Sequence, residues 1–516
     1  MRSALTNAQR APSTRSSIDS PRWVRYWHEA SAHADPTRTI GGPGHDVRLA
    51  RRIVYGARQS VVRSVNVVLI STYELGRQPF GLASPAAWLR QVGATVTCLD
   101  LAVQPLEERA VASADLVALY VPMHTATRLA AQLVPRIRAL NPRAHLCFYG
   151  LYASVNAAFL AELGAQTILG GEFEAGLAAL AQQLGADTQP QAPGQSVSLA
   201  RQRFLIPDRR GLPELVDYAH MQLAHDERRL VGATEASRGC KHLCRHCPIP
   251  PVYGGHFRVV QCDVVLADIA QQVSAGAQHI TFGDPDFFNG PRHAMNLVTQ
   301  LHQRWPDLTY DVTIKIEHLL RHADLLPGLV DNGCLFVTTA VEAVDDRILE
   351  IFDKRHTRAD FLRAVDVCRA AGLTLNPTFV TFTPWTTLRG YVDLLHLLFE
   401  LDLVEYVASI QYAIRLLIPS GSRLLDLPMV RELVQPFDAS ALCYPWSHPD
   451  PRVDRLYGDV LDIVKASQRA GEQRREVFGR VWRLAHAAVA GDTSSSPPVQ
   501  APSVRWVPRL SEPWFC

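Results

Sequence analysis

The sequence lacks the features that would assign it to a membrane or a secreted class. Its 516 residues contain no run of about 18 apolar residues, so no membrane-spanning helix is predicted. The first residues, Met1-Arg-Ser-Ala-Leu, lack the apolar core of a secretory signal. Ten cysteines in a chain of this length are too few for a disulfide scaffold. We therefore expect a cytoplasmic protein in a reduced compartment.

A strong net charge of either sign is also missing. The chain has 52 basic and 50 acidic residues, which gives a net charge of +2 at pH 7. Charge therefore gives no reason to expect nucleic acid or an anionic membrane as a partner. Hydrophobic residues make up 47% of the chain, enough for the cores of two or three domains.

Three cysteines stand close together near the middle of the chain. Cys240, Cys244 and Cys247 have the spacing C-x3-C-x2-C, without the second pair of cysteines that completes most structural zinc sites. An iron–sulfur cube held by three cysteines leaves one iron open for another ligand. His242 and His246 lie beside the cysteines, so a zinc site of three cysteines and one histidine is the alternative.

This cysteine spacing resembles the signature of radical S-adenosylmethionine (SAM) enzymes. The resemblance implies a 4Fe-4S cluster on the three cysteines, SAM on the open iron, and reductive cleavage of SAM to an adenosyl radical. It also implies an electron donor such as flavodoxin or ferredoxin. His246 departs from the family, because the residue before the third cysteine is usually a large aromatic.

Strands alternate with helices from Gly232 onward and predict a partial (βα)6 barrel. The cysteines follow the first of these strands, and catalytic groups of such barrels lie at the carboxyl ends of strands. The predicted strands are Ala233–Ser237, His279–Phe282, Leu308–Lys315, Leu335–Val341, Leu373–Phe382 and Tyr406–Ile414.

A similar alternation before the cysteines predicts a separate Rossmann-like, doubly wound parallel sheet. Its strands are Val65–Ser71, Thr95–Leu99, Leu116–Val121, His145–Tyr149 and Thr167–Leu169. Ligands of such sheets bind beyond the carboxyl ends of the strands. The candidate binding residues at those ends are Ser71, Thr72, Tyr73, His124, Gly150, Gly170 and Gly171.

This first sheet looks like the cobalamin-binding domain that precedes many radical SAM cores. The similar phrases are 148–154, with a glycine turn, and 167–174, with a G-E-x-E segment. The D-x-H-x-x-G motif that supplies a lower axial histidine in many such domains is missing, and His124 is the only histidine near the expected face. The alternative is a domain that binds nothing or holds substrate.

The radical SAM resemblance also implies SAM-binding residues at the barrel mouth. They are Gly283, Asp284 and Pro285 after the second strand, Lys315 and Glu317 after the third, Glu342 after the fourth, and Arg415 after the sixth. Two alternatives stay open. The turn after the second strand could simply be capped by Asp286 or Asn289, and Lys315 could form a salt bridge with Glu342.

Four phrases narrow the resemblance to the CUAEP/CCAEP-tail radical SAM proteins, over roughly residues 64 to 480. They are 70–76, 280–287, 315–320 and 384–387. The paired cysteines of that subgroup's tail are missing here, where the tail reads R-L-S-E-P at 509–513 and only Cys516 lies nearby. Relatives in this subgroup imply either radical chemistry or transfer of the aminocarboxypropyl group of SAM.

These observations predict an α/β protein in six parts. The boundaries are a disordered leader at 1–62, the cobalamin-binding-like domain at 63–184, a linker at 185–228, the radical SAM barrel at 229–430, a helical region at 431–490 and a disordered tail at 491–516.

The leading hypothesis is a radical SAM enzyme of specialised metabolism that acts on a small molecule or peptide. A bound cobalamin would serve methyl transfer or a radical rearrangement. The alternatives are 3-amino-3-carboxypropyl transfer by Cγ–S cleavage and a non-catalytic metal-binding module.

Overall fold

The computed structural model describes residues 63–186, 194–224, 227–490 and 507–512. Three of the sequence predictions fall outside these ranges. They are the leader at 1–62, residues 491–506 of the tail, and Cys516.

The first domain contains a six-stranded, fully parallel sheet in the order β2-β1-β3-β4-β5-β6. This order is flavodoxin-like, with its switch point between β1 and β3. The strands are β1 Asn66–Ser71, β2 Thr95–Asp100, β3 Leu116–Tyr120, β4 His145–Tyr149, β5 Thr167–Gly171 and β6 Gly194–Ser198. Strand β6 lies within the segment predicted as a linker. Its small polar residues carry no strand signal, and pairing with β5 creates the strand.

Helices cover both faces of this sheet, as the alternating side chains of β1 require. Val68 and Ile70 face one core and Val67 and Leu69 face the other. The helices are α1 Phe80–Gln91, α2 Glu108–Ala112, α3 His124–Leu140, α4 Leu151–Val155, α5 Ala157–Glu162 and α6 Glu174–Gly185. Helices α1 and α6 pack on one face, and α2, α3 and α5 pack on the other. The doubly wound sheet predicted from the sequence is confirmed.

The second sheet has seven strands. Five adjacent strands pair in parallel and form the partial barrel. Its order is β14-β13-β12-β11-β8-β7-β15, with β7 and β15 added antiparallel at one edge. The strands are β7 His220–Gln222, β8 Arg228–Thr234, β11 His279–Phe282, β12 Thr309–Thr313, β13 Cys334–Glu342, β14 Thr374–Phe379 and β15 Arg509–Leu510. A separate antiparallel pair is formed by β9 Ser237–Gly239 and β10 Phe257–Val259.

The predicted sixth barrel strand, Tyr406–Ile414, is wrong. Ser409–Ala413 is a 3₁₀ turn, and the sixth position is reduced to one parallel bridge between Phe382 and Arg415. The side chain of Gln411 accepts the backbone N–H of Phe379 at 2.8 Å. Because this contact takes a donor that a sixth strand would need, the ladder does not continue along β14.

Helices separate the barrel strands and extend into the C-terminal region. They are α7 Pro250–Tyr253, α8 Cys262–Ser274, α9 Pro291–Arg304, α10 Ile316–Arg321, α11 Leu326–Asp331, α12 Asp346–Ile351, α13 Arg358–Ala370, α14 Leu388–Glu400, α15 Pro428–Arg431, α16 Pro451–Ala470 and α17 Arg474–Ala490. The segment 316–331 forms two helices, α10 and α11, because Pro327 favours the start of a new helix.

The C-terminal helices α16 and α17 pack on the barrel core through apolar side chains that include Val460 and Trp482. The predicted helical C-terminal region is therefore confirmed. Among the described residues, none of the helices combines the length and the apolar character needed to cross a bilayer.

A glycine-to-alanine change in α1 tests the packing of the first domain, and a second such change in α16 of the C-terminal region serves as its control. A Cβ at Gly81 in α1 would lie 2.1 Å from the ring of Tyr120, whereas a Cβ at Gly458 in α16 meets nothing within 4 Å. We expect Gly81→Ala to cost on the order of 1–3 kcal/mol through overpacking. Gly458→Ala should stabilise its helix by about 0.5–1 kcal/mol. Thermal unfolding followed by circular dichroism measures both, and shifts of the same sign would contradict this packing.

Candidate active site at the barrel mouth

The cysteine loop begins at the carboxyl end of β8 and is anchored from the segment after β11. The Asp284 carboxylate accepts the Ala236 N–H at 2.8 Å and the Ser237 hydroxyl at 2.6 Å. Asn289 accepts the Lys241 N–H at 3.1 Å and donates to the Gly239 carbonyl at 3.3 Å. These contacts fix the backbone on both sides of Cys240 before any metal binds.

Gly239 has a left-handed backbone with φ of +76°, and a Cβ there would lie 2.5 Å from the His256 carbonyl oxygen. Only glycine fits such a position without strain. The glycine directly before Cys240 is therefore required by the close approach of two backbone segments.

The three cysteines of the loop are free thiols, with Cys244 buried and the other two half-buried. Burial raises the pKa of Cys240 to about 11 and raises that of Cys247 further, and repulsion from Cys244 adds to both shifts. Buried thiols of this kind ionise when a metal ion binds them.

Two buried lysines, Lys315 and Lys354, lie close enough to the loop for their charges to act on its cysteines. Burial lowers the pKa of Lys315, and the sulfurs of Cys244 and Cys240 oppose that shift. Burial also disfavours the charge of Lys354, yet the Glu342 carboxylate, 3.3 Å away, raises its pKa above the usual value. Positive charge on these lysines would offset the negative charge that a cluster with thiolate ligands carries.

Glu342 ends β13 at a register shift and has a left-handed backbone with φ of +69°. Non-glycine residues in this region are strained, and such strain concentrates at functional sites. Its carboxylate lies 3.1 Å from Nε2 of His246 and 3.3 Å from Nζ of Lys354. Burial opposes its ionisation, but Lys354 and then His246 lower its pKa to about 2.

The alternative salt bridge between Lys315 and Glu342 is wrong. Nζ of Lys315 lies 3.6 Å from Glu317 instead, and Glu342 pairs with Lys354 and His246. His246 also stacks on the ring of Phe352, with ring centroids 4.4 Å apart. An imidazole at this position therefore replaces the family's aromatic residue and at the same time pairs with a carboxylate.

The structure places the remaining predicted SAM residues as follows. The Gly283 N–H donates to the Thr234 carbonyl at 2.8 Å, which prolongs the pairing of β11 with β8 towards Pro285. Asp286 caps the following turn by accepting the Phe288 N–H, and the role of Gly283, Asp284 and Pro285 towards SAM stays a prediction. The guanidinium of Arg415 bonds to Asp454 at 2.8 Å and lies 3.7 Å from the Trp446 ring centroid. Its role towards SAM stays a prediction.

The predicted residues of the first sheet gather at its carboxyl edge. The hydroxyl of Ser71 is buried and has no hydrogen-bond partner among the described residues. Thr72 donates to the Ala126 carbonyl at 2.9 Å, and Tyr73 donates to Glu512 at 3.0 Å. Nε2 of His124 lies 2.6 Å from the Ala441 carbonyl oxygen. His124 is thus engaged with the C-terminal region.

The glycines of this edge allow close packing. Gly150 and Gly171 have φ of +107° and +68°, and a Cβ at Gly171 would lie 2.2 Å from the Ser198 carbonyl oxygen. A Cβ at Gly170 would lie 2.5 Å from the Ser154 hydroxyl oxygen. Glycine at 170 and 171 is therefore explained by packing within the domain.

Arg238, two residues before Cys240, joins the two sheets and was not singled out from the sequence. Its guanidinium contacts Glu174 at 2.6 Å, Glu235 at 2.6 Å and Glu172 at 3.4 Å. It also lies 5.0–5.5 Å from the ring centroids of three phenylalanines: Phe80, Phe173 and Phe204. Because Glu172 and Glu174 belong to the G-E-x-E segment after β5, this contact fixes the cysteine loop against the first domain.

Comparison with known proteins identifies the barrel. The model of the Radical SAM superfamily matches residues 234–396, the strands and helices that carry the cysteine loop. Residues 234–396 form a radical SAM domain.

Curated relatives of this chain include two methylases. One is bacteriochlorophyllide d C-8(2)-methyltransferase of Chlorobaculum tepidum, 25% identical over 186 residues, which are 33% of this chain and 40% of the relative. The other is hopanoid C-3 methylase of Methylococcus capsulatus, 24% identical over 151 residues, which are 29% of each protein. The chain thus matches less than half the length of these relatives.

Solved structures share the fold over a longer span. OxsB, a cobalamin-dependent SAM radical enzyme with aqua-cobalamin bound, has a TM-score of 0.61 at 14% identity, over 79% of this chain and 67% of its own. TsrM of Kitasatospora setae, a radical SAM methyltransferase, has a TM-score of 0.50 at 19% identity, over 65% of this chain and 71% of its own. Both sheets of this chain therefore belong to a known architecture.

A radical SAM domain implies a 4Fe-4S cluster and SAM as cofactors. The cysteine loop fits this cluster, because it supplies three buried or half-buried thiols directly after β8, at the carboxyl end of the barrel strands, and the charges of the buried Lys315 and Lys354 act on them. Sequence reasoning missed Lys354, which follows a helix where no strand end points to it. Lys354 becomes recognisable only in the fold, where it pairs with Glu342, the carboxylate that also contacts His246 of the cysteine loop.

Single substitutions test the proposed cluster ligands. We expect Cys240→Ala, Cys244→Ala and Cys247→Ala each to abolish most iron–sulfur charge-transfer absorbance after anaerobic reconstitution, because three ligands are needed to hold the cluster. Cys262→Ala is the matched control, since this half-buried cysteine lies on α8 outside the loop. Equal iron and sulfide content in all four variants would rule these ligands out.

Proposed function

We propose that the chain is a cobalamin-dependent radical SAM enzyme that transfers a methyl group to a small-molecule or peptide substrate in specialised metabolism. The observation that carries the proposal is the Arg238 contact, which holds the cysteine loop against the carboxyl side of the flavodoxin-like sheet. Ligands bind at that side of such sheets, so two cofactors would face a common space. The methylases among the relatives support the same reaction class.

Lys315 is the residue best placed to bind the carboxylate of SAM. Its Nζ is buried beside the cysteine loop and makes no hydrogen bond among the described residues. A buried ammonium without a full set of acceptors is costly, and a carboxylate ligand would satisfy it. Glu317, 3.6 Å away, would orient the lysine or accept a hydrogen bond from SAM.

If the first sheet holds a corrinoid, polar groups at the carboxyl ends of its strands would bind it, rather than the imidazole of His124. The buried hydroxyl of Ser71 at the end of β1 lacks a hydrogen-bond partner among the described residues and suits a polar ligand group. His124, in contrast, has its Nε2 engaged 2.6 Å from the Ala441 carbonyl. Its imidazole is therefore committed to the protein, in agreement with the missing D-x-H-x-x-G motif.

When bound, the cluster and cobalamin supply the electron transfer and the methyl-carrying metal. The contribution of the chain is to hold these groups in register, to exclude water and to set the charge around them. An external flavodoxin or ferredoxin supplies the electron in this proposal.

Lysine substitutions test the SAM site. We expect Lys315→Met to raise the KM for SAM by about 10–100-fold, since a charge-assisted hydrogen bond contributes about 1.5–3 kcal/mol. Cluster content should not change. Lys241→Met is the matched control, because Lys241 is an exposed lysine on the cysteine loop and lies over the Phe257 ring. An unchanged KM for the Lys315 variant would remove this residue from the SAM site.

The reaction class is tested by the products formed from SAM under strictly anaerobic conditions. With cobalamin, a reductant and a substrate pool from the source organism, we expect 5′-deoxyadenosine together with S-adenosylhomocysteine. Methylthioadenosine would instead indicate aminocarboxypropyl transfer and would contradict the proposal. Corrinoid content of protein purified without oxygen gives an independent check, and its absence after reconstitution would remove cobalamin from the account.

A further inference from the structure

The last described residues of the chain, 509–512, form a tail segment that is attached to the barrel sheet. Strand β15, Arg509–Leu510, pairs antiparallel with β7 at the edge of that sheet. Ser511 adds two contacts, because its N–H donates to the His220 carbonyl at 2.9 Å and its hydroxyl accepts the His220 N–H at 3.0 Å. Chain ends are poorly ordered unless contacts of this kind hold them. The tail segment is therefore an anchored part of the fold.

The tail segment also contacts the first domain, through Glu512. The hydroxyl of Tyr73 donates to Oε1 of Glu512 at 3.0 Å, across 439 positions of the sequence. At Gly76, which has φ of +67°, an added Cβ would lie 2.8 Å from Cβ of Glu512. Glycine at this position therefore permits the left-handed backbone and leaves room for the glutamate. Two residues of the loop after β1 thus pack around one residue of the tail segment.

The loop that Glu512 contacts lies at the edge of the sheet where a ligand is expected. It follows β1 at the switch point between β1 and β3, where ligands of such sheets bind. Three buried polar atoms here have no hydrogen-bond partner among the described residues: the Ser71 hydroxyl, Oε2 of Glu74 and Nε of Arg77. Buried polar atoms normally have a partner. These atoms indicate that a ligand completes the loop.

The same loop reaches the mouth of the barrel. A Cβ at Gly283, after β11, would lie 4.0 Å from Nη1 of Arg77 and 3.5 Å from Cγ of Glu235. Gly283 belongs to the segment that the sequence predicts to bind SAM. The loop after β1 therefore connects the carboxyl edge of the first sheet to the barrel mouth.

We propose that Glu512 is a positioning residue, which holds the loop after β1 in the conformation that binds the corrinoid by fixing Tyr73 and Gly76. The inference rests on the proposed function for the identity of the ligand, whereas the effect on the loop does not depend on it. A ligand binds more weakly when only a fraction of the protein is in the competent conformation. Release of the tail segment should therefore weaken corrinoid binding and leave the cluster unchanged.

The test measures hydrogen exchange and hydroxocobalamin binding in the full-length protein with a reconstituted cluster. In Glu512→Ala and in Tyr73→Phe, the amides of residues 72–78 should exchange at least about 5-fold faster, because local opening then costs less free energy. The Kd for hydroxocobalamin, followed by its absorbance, should rise about 5–20-fold for the same reason. Glu512→Gln keeps an oxygen acceptor for the Tyr73 hydroxyl but loses the charge, so its values should lie between those of Glu512→Ala and the unmodified protein.

A double variant distinguishes the contact from general destabilisation. Because Tyr73 and Glu512 act through one hydrogen bond, combining Tyr73→Phe with Glu512→Ala should weaken hydroxocobalamin binding no more than Glu512→Ala alone. Glu432→Ala is the matched control, because it removes an exposed carboxylate just after α15 in the C-terminal region. Both measurements should stay unchanged in this control. Tyr73→Phe keeps the aromatic ring and decides the test if Glu512→Ala fails to fold.

Unchanged exchange of the loop in Glu512→Ala and Tyr73→Phe would overturn the inference. Faster exchange with an unchanged Kd for hydroxocobalamin, or effects that multiply in the double variant, would overturn it as well. The electron paramagnetic resonance spectrum and the iron content should be the same in all variants. If the unmodified protein binds no hydroxocobalamin, the proposed function is contradicted, and the exchange measurement still supports or overturns the positioning of the loop by Glu512.

Discussion

The placement of the candidate site depends on the buried guanidinium of Arg238. This side chain sits two residues before Cys240 and contacts carboxylates from both domains. Removing one partner of a buried ion pair costs about 3–5 kcal/mol, because the other charge is left uncompensated. The cysteine loop therefore cannot shift relative to the first sheet without a large loss of stabilisation.

One guanidinium cannot neutralise three carboxylates, and their pKa values show how the excess charge is accommodated. Burial raises the pKa of Glu172 to about 7, and burial also raises that of Glu235. Burial opposes ionisation of Glu174 as well, but Arg238 lowers its pKa below the usual value. Glu174 is thus the firm partner of the arginine. Glu172, which also accepts the Tyr253 hydroxyl, is the group that takes up a proton most easily.

The fold could be predicted in large part because its signals are local. A continuous apolar run that includes Val67 and Val68 indicates a strand buried on both faces, because consecutive residues face opposite cores. The spacing of the three cysteines identifies the cysteine loop. Pairing that depends on distant residues could not be predicted this way. Strand β6 exists because β5 offers it an edge, and the sixth barrel strand is missing because Gln411 takes the N–H of Phe379.

The same limit applies to the site. The ends of predicted strands located Lys315, Glu317 and Glu342, which do lie at the barrel mouth. Sequence reasoning did not identify three other residues of the site, because each acts through a partner that is distant in sequence and close only in the fold. They are Arg238, Lys354 and His318. Pairing partners in particular could not be predicted. The sequence suggested Lys315 as the partner of Glu342, because nothing in the sequence shows that Lys354 lies closer to it.

The central claim is that three thiolates at the barrel mouth hold an iron–sulfur cube with one iron open to SAM. Electron paramagnetic resonance of the dithionite-reduced protein, with and without SAM, tests it most directly. The account predicts the signal of one reduced 4Fe-4S cluster whose g-values shift when SAM is added. A reduced protein without a cluster signal, or with a signal that SAM leaves unchanged, would contradict it.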